Sequence, residues 1–258
     1  MRTLQSPSFN VCIAFLVLFQ TLLSYPSSSQ TSAGKKQIFV DIAHGQKFYN
    51  DPGEMNGKDS AFVERIKYMT GELGKNATAL NADMHFQKGK ITPNALAKCD
   101  LLFIHMPSSK YDPEEVQAIQ QYLKKGGSLF IVMEVDYWAT LAQANVNDIV
   151  GAFGIMYKTD NPDTKSSGGY SQPGQMASRR FSIPYHGARI VDGGTPFCFS
   201  NQTTDHPFGI YKKLDGGGKI IAMGDGMVSL YMTSWEGVTN YQCSPFMHDV
   251  LAWLLNKR

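Results

Sequence analysis

Short apolar runs alternate with helical periodicity along most of the chain. Residues 37–43 (QIFVDIA) read as a buried strand. Phe62, Ile66, Met69 and Leu73 then recur at spacings of four, three and four, which places them on one face of an amphipathic helix. Asp59 or Ser60 is suited to cap its start and Gly74 to end it. A second strand is predicted at Leu101–His105 (LLFIH). The helix after it has Asp112 as N-cap, Pro113 in the first turn and Glu115 placed to complete a capping box, with Val116, Ile119 and Leu123 as its buried stripe. Gly126 and Gly127 stop that helix, and residues 128–133 (SLFIVM) supply the next strand. A further helix is expected from an Asn145 cap to Gly154, a strand at Lys219–Met223 (KIIAM), and a last helix opened by Ser244 and Pro245 that bears Phe246, Val250, Trp253 and Leu254.

Strands that are apolar throughout and separated by helices indicate an α/β fold, with a mostly parallel sheet covered on both faces. One stretch breaks the rhythm. Residues 160–207 are rich in Gly, Ser, Pro and Thr, with strand-like segments only at 181–183 and 188–191. So long an aperiodic stretch predicts a β/loop excursion, either a lid over a site or a hairpin on the sheet edge. At the other extreme, residues 11–25 are almost unbroken apolar, follow a short segment with Arg2, and precede the small residues Ser27, Ser28 and Ser29. That order predicts a signal peptide at 1–29, with cleavage near Ser29 or Ala33. The expected organisation is then one domain at 30–258 in a secreted or periplasmic protein, with no transmembrane segment after the signal is removed.

Composition narrows the partners. Over 258 residues there are 24 basic and 22 acidic side chains, without a basic block, which argues against nucleic acid. Cys99, Cys198 and Cys243 contain no CxxC pair, so a structural zinc site has no support. In an oxidising compartment Cys198 and Cys243 would either pair or remain buried thiols. Asn76 and Asn201 each head an Asn-x-Thr triplet, the acceptor pattern for glycans in a eukaryotic secretory pathway.

The segments DPEEVQAIQQYLKKGGSLFIVME, NVNDIVGAFGIMY and GGGKIIAMGDGMVSLYM…FMHDVLAWLL resemble GIFT-type (gliding and intraflagellar transport) domains. Uncharacterised bacterial proteins similar to the class I glutamine amidotransferase fold belong to the same broad set. The resemblance implies a flavodoxin-like three-layer sandwich. It does not imply glutaminase chemistry: the strand ending at Met133 runs into Glu134-Val135-Asp136, with neither Cys nor Ser at the turn and no GxSxG or GxCxG anywhere.

Ligands of open α/β sheets bind outside the carboxyl ends of the strands. Reading each strand to its end yields Asp41 and His44, then His105, then Glu134 and Asp136, then Asp225. Tyr137, Trp138 and Trp235 add aromatic surface nearby, as sugar-binding clefts require. This set is open to several uses. His44, His105 and Glu134 are the candidates for acid/base catalysis in a hydrolase or sugar-modifying enzyme. No cofactor is expected, a divalent metal on the imidazoles and carboxylates being the exception weighed. Asp41, inside an apolar run, needs a partner if buried, and His44 is the obvious one. The leading expectation is an exported, non-catalytic domain that binds a carbohydrate or a protein partner at the strand ends. A scaffold with a vestigial cleft is the third reading.

Overall fold

The computed structural model describes residues 34–160, 167–235 and 237–256; the predicted signal segment lies outside them. Eleven strands and five helices frame the site: β1 (Lys36–Asp41), α1 (Ser60–Ala79), β2 (Ala82–Gln87), β3 (Leu101–His105), α2 (Pro113–Lys124), β4 (Ser128–Val132), α3 (Leu141–Ala144), α4 (Val146–Val150), β5 (Met156–Asp160), β6 (Gly169–Ser171), β7 (Ser182–Ile183), β8 (Arg189–Asp192), β9 (Thr195–Ser200), β10 (Gly209–Lys213), β11 (Lys219–Met223) and α5 (Cys243–Leu254). The main sheet runs β2-β1-β3-β4-β11-β10-β9-β6-β7. Its first five members are mutually parallel and the rest antiparallel.

The two-residue side-chain period of a strand divides the core in two. Ile38, Val40, Leu101, Phe103, Phe130, Val132, Ile221 and Met223 pack with Ile66, Met69 and Leu73 of α1 and with Phe246 and Val250 of α5. The alternate residues Leu102, Ile104, Leu129, Ile131, Ile220 and Ala222 pack with Ile119 and Leu123 of α2 and with Val146 and Ile149 of α4. Helices therefore cover both faces of the parallel part, and every residue of β3, β4 and β11 is buried.

Local signals are read out with two departures. The capping box of Asp112 and Glu115 is present at the start of α2. Helix α1 starts after Asp59, whose carboxylate accepts the Phe62 N–H at 3.0 Å. It does not stop at Gly74 but runs to Ala79, because Asn76 and Ala77 continue the buried stripe begun by Leu73. That packing offsets the ~1 kcal/mol cost of an internal glycine. Asn145 stands at the start of α4 in a left-handed conformation, and its side chain is turned instead to Tyr111, accepting from its N–H and donating to its carbonyl.

The described part of the excursion builds sheet and not a lid. β6, β7 and β9 extend the sheet edge, while β8 pairs antiparallel with β5 and brings Arg189 to the end of β11. Cys198 and Cys243 are both free and buried. Asn76 is buried, with its amide donating to the Tyr231 hydroxyl at 3.0 Å, so the folded chain closes that glycan acceptor, whereas Asn201 is exposed. His85 is exposed on edge strand β2.

Gly224 links β11 to the site with no room for a side chain. A Cβ there would lie 1.8 Å from the Arg189 carbonyl oxygen. Gly224→Ala should destabilise the fold by about 2–3 kcal/mol, the upper part of the usual overpacking range, seen as a lower urea midpoint with an unchanged slope. An unchanged midpoint would contradict this packing.

Candidate functional site

The strand-end residues fall into two separate buried networks. The first centres on Asp41, the last residue of β1, which is 0% exposed. Its Oδ2 accepts from His44 Nδ1 at 2.9 Å, Gln46 Nε2 at 2.6 Å and the Tyr111 hydroxyl at 2.7 Å, and its Oδ1 from the Ala43 N–H at 3.0 Å. The His44 ring stacks on Tyr111 with centroids 3.9 Å apart, and its Nε2 lies 3.3 Å from the Glu115 carboxylate. Glu115 also accepts the Ile91 and Asp112 N–H groups at 2.7 and 3.0 Å.

With a carboxylate at each ring nitrogen, both nitrogens act as donors, which is the charged form of the ring. Burial works against that charge, but the hydrogen bonds and charges of Asp41 and Glu115 outweigh it and hold the His44 pKa above its ordinary value. The Asp41–His44 pair foreseen from sequence is thus one edge of a network that also needs Gln46, Tyr111 and Glu115. Gln46 and Tyr111 carry no sequence signal beyond nearness to His44 and to the α2 cap, and Glu115 reads from sequence only as a capping residue.

The second network joins the ends of β4 and β11, beside His105 of β3. The Glu134 carboxylate accepts the Gly226 N–H at 2.7 Å; Asp225 accepts the His186 and Met227 N–H groups, each at 2.8 Å. Burial, and then the charge of Asp225, hold Glu134 well above the usual carboxylate range; burial likewise raises Asp225. His105 is fully buried between Tyr49 and Phe103, and neither ring nitrogen has a hydrogen-bond partner. Its pKa is pressed by burial to about 3, so the ring is neutral.

Four candidates remain: Asp136, Tyr137, Trp138 and Trp235. Asp136 is turned to Arg189, whose Nη2 donates to it at 2.6 Å. Arg189 itself is buried, with Nε donating to the Glu134 carbonyl at 3.0 Å and Nη1 to the Lys158 carbonyl at 3.1 Å. Its sequence signal is a charge in the apolar run 188–191, which calls for partners as Asp41 does. Tyr137 is 82% exposed and packs edge-on against Trp138, which also meets Phe48 at 5.4 Å and carries the Lys47 ammonium 4.3 Å above its ring. Trp235 is apart from these, donating from Nε1 to His186 at 3.1 Å.

The arrangement closes the crevice predicted at the strand ends. Asp41, His44, His105, Glu134 and Asp225 are all buried; Ser108 and Ser109 donate N–H groups to the His44 carbonyl, and Tyr49 to the Ser229 carbonyl, across it. Tyr137 and Asp136 are exposed and Trp138 is partly so. Among the described residues no three His, Cys, Asp or Glu side chains are grouped to hold a metal ion, and no helix is long and apolar enough to cross a membrane.

Comparison with known proteins bears on the fold. Residues 66–170 match the family model of the IFT52 GIFT domain, which supports a GIFT-type domain. The structure is similar to the mmIFT52 N-terminal domain, at 16% identity and a TM-score of 0.56, over 85% of this chain and 97% of that one. The Cytoplasmic Protein STM3548 from Salmonella typhimurium aligns at 14% identity and a TM-score of 0.55, over 86% and 98%. A β-galactosidase from Bacillus circulans sp. alkalophilus aligns at 10% identity and a TM-score of 0.52, over 87% of this chain but only 31% of its own. At these identities the likeness is one of fold. A search among curated protein sequences found no match.

The two networks give stability a defined pH dependence. A raised histidine pKa contributes fully below the unfolded value, about 6.5, and is lost as pH rises through the native value. A raised carboxylate pKa means that the native state retains a proton which the unfolded chain releases, so stability also falls as pH rises from about 4 through the raised native values. Glu134→Gln should remove its share of that second fall and be more stable than wild type at alkaline pH, while His44→Gln should flatten the first. Parallel pH profiles of urea midpoints for all three proteins would contradict the assignment.

Proposed function

We propose that this protein is a non-catalytic interaction domain of GIFT type, which receives a partner protein at the carboxyl ends of its parallel strands. The observation that carries this reading is how the polar side chains there are used. Asp41, His44, Glu134 and Asp225 are buried and bonded to their own loops, and His105 is held neutral among aromatic rings. A general acid or base must reach the proton it transfers, and none of these is presented to solvent. The same face instead offers Tyr137 and Trp138, residue types favoured at the centres of protein interfaces.

The fold reading goes with it. Strand order β2-β1-β3-β4 followed by a fifth parallel strand is the flavodoxin-like order, which favours the flavodoxin-like and amidotransferase-like class over other three-layer α/β folds. Export is part of the proposal and rests on the leader pattern of residues 1–29 alone. A carbohydrate ligand is the second reading, favoured by the freely exposed Tyr137 ring beside Trp138, a platform suited to the apolar face of a sugar.

A photo-crosslinking residue at position 137 should trap a specific partner in the producing cell, while the same residue at exposed position 75 on α1 should not. Tyr137→Ser should abolish co-purification of the partner so identified and leave stability within about 0.5 kcal/mol. No capture at 137, or equal capture at 75, would sink the interaction reading. Glycan-array binding lost in Tyr137→Ser would select the carbohydrate.

A further inference from the structure

Beside the platform, and separate from both buried networks, lies a cavity of about 400 Å3 between the loop after β1 and the turn before α1. Its apolar lining is Ile42, Met55 and Phe62, all at least partly buried, and three exposed ammonium groups surround it: Lys47, Lys58 and Lys88. The carboxylates present are those of Asp51 and Glu54, and both are taken by Lys88, at 2.7 and 2.6 Å. Lys47 lies over the Trp138 ring, and neither it nor Lys58 has a carboxylate partner among the described residues. Three cations against two anions leave the cavity with a net positive charge, and the unpaired Lys47 and Lys58 both belong to the β1–α1 connection.

We propose that this cavity docks an acidic peptide segment of a partner protein, with an apolar side chain on Ile42, Met55 and Phe62 and a neighbouring carboxylate on Lys47 and Lys58. The choice of a peptide over an acidic sugar follows from the polar groups on hand. Sugar recognition needs several fixed donors and acceptors converging on hydroxyls. Gln46, which also lines the cavity, has both ends of its amide engaged inside the protein, Nε2 with Asp41 and Oε1 with the His44 N–H. Lysines on flexible stems act as point charges, which suit a carboxylate beside an apolar anchor. The proposal rests on the interaction-domain reading but places a contact at a surface other than Tyr137, so the two can fail independently.

The test is fluorescence anisotropy with the purified protein and a labelled short peptide of alternating Glu and Leu. Alternating Lys-Leu and Glu-Ser peptides serve as controls, and an oligogalacturonate as competitor. The Glu-Leu peptide should bind saturably and more weakly as salt rises, because exposed charges are screened. The control peptides should not bind. Lys47→Glu combined with Lys58→Glu should weaken binding about tenfold or more, as loss and reversal of complementary charge predicts, while Tyr137→Ser leaves it unchanged. Absence of saturable binding, or equal binding by the double variant, overturns the proposal. Tighter binding of the oligogalacturonate than of the peptide overturns it in favour of a sugar. Loss of peptide binding in Tyr137→Ser alone overturns the cavity while leaving the interaction reading intact.

Discussion

The first strand of the sheet ends in a carboxylate that has no access to water, and the loops around it are arranged to make that state tolerable. An isolated buried charge costs several kcal/mol or more, so such a group persists only if donors converge on it. Asp41 gathers four donors, from Ala43, His44, Gln46 and Tyr111. The other ring nitrogen of His44 meets Glu115, and Glu115 fixes both the start of α2 and the chain at Ile91. Tyr111 reaches Asp41 because Asn145 holds its backbone from the next helical segment. One buried side chain thereby coordinates the β1 loop, the β3–α2 connection and the approach to α4. These are the segments that border the switch between β1 and β3, where an open α/β sheet would ordinarily admit a ligand.

The neighbouring network solves a similar problem differently. Glu134 and Asp225 accept from backbone N–H groups, and burial favours their protonated forms. Arg189, the one buried guanidinium close by, is spent on carbonyl oxygens and on Asp136. It ties the ends of β4, β5 and β11 together, a task that fixes Gly224 as glycine because its backbone passes against the Arg189 carbonyl. The left-handed backbone at Met106, φ 50°, falls at the end of β3 between the two networks.

Closing the crevice in this way moves the accessible chemistry outward. The strand-end face presents an aromatic surface at Tyr137 and Trp138, and Lys47 borders it on one side and the cationic cavity on the other. Under the proposed reading, recognition would rest on rim charges, exposed rings and apolar anchors, whose places the rigid interior sets.

The sequence by itself determined the alternation of buried strands and amphipathic helices, the α2 capping box, and the chain positions at which polar residues leave the parallel strands. These depend on side-chain period and on donors within a few residues, which are local properties. Even the Asp41–His44 bond was legible, since the two stand three residues apart at one strand end. Only the tertiary structure decided that α1 continues through Gly74, that the aperiodic stretch builds sheet edge, and that the strand-end residues divide into two sealed networks. Each of those outcomes depends on groups distant in the chain: Glu115 lies 71 residues from His44, and Glu134 lies 92 from Gly226. Spacing along a chain carries no record of such meetings, because desolvation and partner choice are settled when the layers pack.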